Sequence, residues 1–130
     1  VEGVKLTDVK NLEKDIEVVE SGYEFLLAYA AQGRPPRIES ESPAPHVRPT
    51  LEEMVTAMAN VAQAFAGSSS DYEQVVAEDI RKASAAISFV LAQPRMSSEL
   101  IDNLNASIHL RAVLTGFFLY SEVFRPISEA

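Results

Sequence analysis

The stretch "SELIDNLNASIHLRAVLTGFFLYSEVF", Ser98 to Phe124, decides how this sequence folds. Small and apolar residues recur in it at steps of three and four: Ile101, Leu104, Ile108, Ala112, Gly116, Leu119 and Val123. That is the period of one face of an α-helix. Ser97 or Ser98 supplies a cap at the start, and Pro126 sets the end near Phe124. Read as one helix, the segment carries a second apolar stripe: Leu110, Val113, Phe117, Tyr120 and Phe124. It lies about 140° round the axis. Its N-terminal continuation is Asn103 and Ala106, so it exists only in the second half. A bundle helix needs an apolar face about 100° wide, and this one has more.

Three further helices precede it. The first spans about Asp8 to Gln32, with Thr7 or Asp8 as its cap. Its seam of Val9, Leu12, Ile16, Val19, Tyr23, Leu26 and Ala30 alternates steps of three and four, a heptad pattern. Val18, Gly22, Phe25 and Tyr29 form a second, half-length stripe, and Gly33 ends the helix. The second helix spans Leu51 to Ala66, opened by a Thr50/Glu53 capping box, with Leu51, Met54, Met58, Val61 and Phe65 inward. After Gly67 to Ser70, a Ser70/Glu73 box opens a third helix that runs to about Gln93 and turns Tyr72, Val76, Ile80, Ala83, Ile87 and Val90 inward. Strand signals are missing. These features predict an all-α protein, a four-helix bundle in a single domain over 1–130.

Residues 33–49, "GRPPRIESESPAPHVRP", hold five prolines and no apolar period, and read as an extended, exposed link between helices one and two. Seventeen residues reach roughly 55 Å, against about 37 Å for the first helix. A parallel and an antiparallel second helix are both within reach.

Composition removes several functions. The net charge of −8 opposes binding to nucleic acid or to an anionic membrane surface. No cysteine is present, so thiol chemistry, disulfides and thiolate metal sites fall away. No apolar run reaches the roughly 18–20 residues of a transmembrane helix. The expected location is cytoplasmic, with export after loss of a targeting segment as the other route; the chain begins at Val1 rather than Met.

Motif spacing removes more. Carboxylate-bridged metal bundles need Glu-x-x-His, but Ala106 stands three before His109 and Pro43 three before His46. A haem ligand pair of His109 with Met54, Met58 or Met96 competes with the commoner role of methionine as core filler. Size and helix content resemble the histidine phosphotransfer domains, whose exposed histidine is followed by a basic residue three on and a small one four on. Here Arg111 falls two on and Val113 four on, so the pattern is not met. Neither a GxSxG elbow nor a glycine-rich phosphate loop occurs. Glu13, Glu17, Glu20 and Glu24 line one stripe of helix one and read as a solvated face with Lys10 and Lys14. Asn105-Ala106-Ser107 fits a glycosylation sequon but lies inside a helix.

What is left is the surplus apolar surface. The leading expectation is a non-enzymatic bundle that works by association as an accessory, adaptor or assembly factor. Its partner is itself, as a homodimer, or another protein, through Leu110, Val113, Phe117, Tyr120 and Phe124 with Phe25 and Tyr29 of helix one. The alternative is a small-molecule or cofactor-binding bundle with its ligand between helices one and four, near His109 and Tyr120. On the leading reading no catalytic residue, metal or cofactor is called for, and His109 lies half-buried between the two stripes of helix four.

Overall fold

A computed structural model describes the backbone of residues 6–129 and the side chains of residues 9–123. The protein is all-α, and the described residues form five α-helices where the sequence pattern suggests four: α1 (Leu6–Ala30), α2 (Arg48–Phe65), α3 (Asp71–Leu91), α4 (Ser98–Ala106) and α5 (Ile108–Glu129). The described residues also hold two short strands, β1 (Arg37–Ile38) and β2 (Arg95–Met96), paired antiparallel with Arg37 opposite Met96 and Ile38 opposite Arg95.

The seams of the first three helices are the core. Ile16, Val19 and Leu26 of α1, all five seam residues of α2, and Val76, Ile80, Ala83, Ile87 and Val90 of α3 are buried. α1 and α2 run antiparallel: Asp15 accepts a hydrogen bond from Asn60 at 3.3 Å, while Gly22 sits against Met54 and Thr50. A Cβ on Gly22 would stand 2.5 Å from Met54 Cγ, so the two backbones come this close only because the side chain is a hydrogen. α2 and α3 are antiparallel too, and each end of the pair is tied. Gln74 donates from Nε2 to the carbonyls of Phe65 (3.0 Å) and Ser68 (2.9 Å), closing the C-terminus of α2.

The other end is closed by the proline-rich link, which is more than a tether. Although mostly exposed, it buries Glu39 and Val47. α2 starts at Arg48, three residues earlier than the Thr50 box predicts, and its N-cap residue Val47 has no capping side chain. Glu39 takes that role. Its carboxylate accepts from the backbone N–H of Val47 and, at 3.2 Å, from that of Arg48. These are the donors that a helix N-terminus leaves unpaired, and a negative charge there is favourable. The Arg48 side chain pairs with Glu39 at 3.4 Å and donates to the carbonyls of Leu91 (2.7 Å) and Gln93 at the C-terminus of α3. Arg34 donates to the Pro43 carbonyl at 2.6 Å and stacks over Tyr29, which fastens the link to the end of α1.

Ser97 caps α4 through Leu100 N–H at 3.0 Å. Ser98 docks α4 on α1: its hydroxyl donates to the Tyr29 carbonyl at 2.8 Å and accepts from Arg34 N–H at 2.7 Å. α5 lies instead on α3, where Tyr72 donates to the Gly116 carbonyl at 3.2 Å. The division between α4 and α5 is Ser107. Its backbone is extended, its N–H bonds Leu104, its hydroxyl accepts from His109 N–H at 3.2 Å, and its carbonyl accepts from Arg111 N–H. One serine therefore ends α4 and caps α5. α5 also passes Pro126, the expected stop. A proline lacks the N–H that would bond residue 122, so the helix continues one bond short.

Candidate interaction surface

The break at Ser107 changes which face of α5 is inside. Taken as continuous, the helix would carry Ile108, Leu119 and Val123 inward with Ile101 and Leu104. Ile101 and Leu104 are indeed buried, but beyond Ser107 the inward residues are Leu110, Val113, Leu114 and Phe117. Leu110, Val113 and Phe117 of the stripe expected to be surplus are thus enclosed by their own chain. Of the stripe expected to be core, Gly116 is buried and Ala112 half-buried, but Ile108 is 73% exposed, Leu119 52% and Val123 55%, with Phe118 beside them at 55%.

The other residues expected at an interface follow the same correction. Tyr29 is buried under Arg34, and Phe25 is half-buried against the core. Tyr120 is half-buried; its ring meets Phe65 at 5.3 Å between centroids, and its hydroxyl donates to Glu73 Oε2 at 3.1 Å. The Phe124 side chain lies outside the described residues.

Glu73 is the polar group that the sequence pattern does not reveal. Its backbone N–H bonds Ser70 Oγ at 3.3 Å, the first half of the expected capping box. The second half does not form, because Ser70 N–H goes to Ser68 Oγ at 3.0 Å and the Glu73 carboxylate turns inward. There Oε2 meets Tyr120, and Oε1 has no hydrogen-bond partner among the described residues. The setting raises the Tyr120 pKa, through burial first and then the charge of Glu73. Asn105 is also buried, and neither polar atom of its amide has a hydrogen-bond partner among the described residues. Its place inside the protein removes the sequon from reach of solvent.

His109 is exposed rather than half-buried. It stands eleven residues before Tyr120, about 16 Å away along the axis, so the two do not converge on one small ligand. A surface groove of about 540 Å³ lies instead between α1 and α2, open and bordered by Lys14, Glu17 and Glu53 beside Phe25. Among the described residues no three histidine or carboxylate side chains cluster as metal ligands, and no helix is long and apolar enough to cross a membrane.

What the geometry offers chemically is therefore a face. Along the outside of α5 run Ile108, Phe118, Leu119 and Val123, with Arg111 and Glu122 exposed beside them. Neither charge has an ion-pair partner among the described residues. No known protein family matches this chain, and comparisons with curated proteins and with solved structures find no match either.

Proposed function

We propose that this chain is a non-enzymatic four-helix bundle that works by association, as a homodimer joined through the outer face of α5. In this reading α4 and α5 together are the fourth member, α4 covering α1 and α5 covering α3, and residues 33–49 are a strap across one end. The observation that carries the reading is the set of four large apolar side chains on one helix, each more than half exposed. Scattered apolar residues need no explanation, but a contiguous row does. Each such side chain gains roughly 1.5–3 kcal/mol when fully buried, and each is already part exposed, so a dimer recovers much of that for every residue. The net charge of −8 makes two copies repel at long range, so contact has to come from a local apolar strip.

Leu119→Glu is the discriminating variant. Position 119 is exposed, so the substitution leaves helix content and melting temperature near those of the parent while removing self-association in sedimentation equilibrium. A parent chain that stays monomeric to several hundred micromolar overturns the proposal.

A further inference from the structure

The arrangement of the charges on α5 says how two copies meet. At 100° per residue, Ile108, Ala112, Thr115, Leu119 and Val123 fall within a band about 80° wide. Arg111 and Glu122 lie together on one flank of that band, with Phe118 just beyond them. When two helices pack face to face in parallel, the left flank of one meets the right flank of the other. When they pack antiparallel, like flanks meet. Two opposite charges on the same flank can therefore pair between copies only in the antiparallel arrangement.

Height agrees with angle. Under a two-fold axis between Thr115 and Gly116, Ile108 stands opposite the second copy's Val123 and Ala112 opposite its Leu119. Arg111 and Glu122 are centred one residue further along, which sets Arg111 two residues, about 3 Å, from the level of the second copy's Glu122, an offset that their long side chains absorb. A parallel, in-register pair instead sets Arg111 level with Arg111 and Glu122 level with Glu122. We infer that a second copy of this chain docks on α5 antiparallel, with two symmetric Arg111–Glu122 ion pairs closing one flank of the apolar strip. The inference rests on the association proposed above and adds its geometry.

Size sets the strength. From Ile108 to Val123 the strip is about 24 Å long and, at the width of one helix, covers about 240 Å², well short of a standard interface of about 800 Å² per partner. A micromolar dimer is expected, in which exposed ion pairs choose orientation more than they add affinity.

The test uses two charge reversals. Arg111→Glu alone and Glu122→Arg alone each set like charges opposite one another twice, and each should weaken self-association by about tenfold. The double variant R111E/E122R restores it to within about threefold. The sharper outcome comes from mixing the two single variants. On this flank the R111E copy carries two glutamates and the E122R copy two arginines. Their antiparallel heterodimer sets opposite charges against each other at both contacts, so the mixture associates where each variant alone does not. Orientation is read separately by cysteines, unique here because the chain has none. On mild oxidation I108C and V123C cross-link with each other when mixed, and I108C does not cross-link with itself. A dimer in which I108C links to itself, or in which mixing restores nothing, overturns this inference and leaves the association standing. A parent chain that is monomeric at every concentration overturns both.

Discussion

Tyr120 on α5 donates its hydroxyl to Glu73 at the start of α3, joining two helices across a buried carboxylate whose other oxygen has no partner among the described residues. A half-satisfied buried charge is the kind of group whose remaining bond matters most, since losing it strands the carboxylate altogether. Tyr120→Phe should cost about 1–3 kcal/mol in denaturant unfolding. In the Glu73→Met background, where nothing is left to strand, the same change should cost much less. Additive effects in that cycle would mean that the two side chains are not coupled.

The tyrosines give a dependence on pH. Burial raises the pKa of Tyr29 despite the opposing pull of Arg34, and burial with the charge of Asp79 raises that of Tyr72. Tyr120 is raised as well, by burial and by Glu73. The unfolded chain ionises these phenols near the ordinary value of about 10, while the folded one holds them neutral to higher pH. Their contribution is fully present below about pH 10 and is lost as pH climbs through the folded values. Thermal melts should show no tyrosine-linked loss from neutrality to about pH 9 and fall beyond pH 10. Phenolate absorbance should lag behind that of the denatured protein.

Two glycines should answer oppositely to alanine. At Gly116 a Cβ stands 3.4 Å from Val76 and 3.6 Å from the Tyr72 hydroxyl, ordinary contact distances. Gly116→Ala should therefore stabilise by up to about 1 kcal/mol through helix propensity. At Gly22 the added carbon meets Met54 Cγ at 2.5 Å and Sδ at 2.7 Å. There the overpacking, about 1–3 kcal/mol, outweighs the propensity gain, and Gly22→Ala should lower the melting temperature. Adding Met54→Ala should recover part of that loss relative to Met54→Ala alone.

Glu39 is the keystone of the strap. Glu39→Ala removes the acceptor for two backbone N–H groups and the counter-charge of Arg48, at a cost of about 2–4 kcal/mol. Amide exchange should rise first at Val47 and Arg48 and at the end of α3. If exchange rises uniformly, the strap is not a local closure.

The interiors of α2 and α3 are legible in the sequence because each seam keeps one unbroken period from cap to stop. Every inward residue named for α2 is buried. Glu39 is not legible, because "ESES" offers two glutamates in equivalent company and only the approach of a helix end distant in sequence selects one of them. Glu73 misleads in the other direction: its local spacing fits a capping box, but Tyr120, 47 residues away, competes for the carboxylate and takes it. The α5 face comes out inverted for a similar reason. Ser107 has neither the ring of a proline nor the missing side chain of a glycine, and a serine within a helical period does not announce that the period ends there.

Count Ser107 out, and the two apolar patterns on either side of it come into step. With that one position removed, Leu110, Val113, Phe117 and Tyr120 continue the face of Ile101 and Leu104 at 100° per residue. Ser107 is thus a skip residue, a single supernumerary unit in an otherwise regular repeat, of the kind that shifts phase in long helices. The chain is one deletion away from an uninterrupted helix of some thirty residues with the same interior. What Ser107 adds is a joint, which lets one stretch of chain lean first on α1 and then on α3.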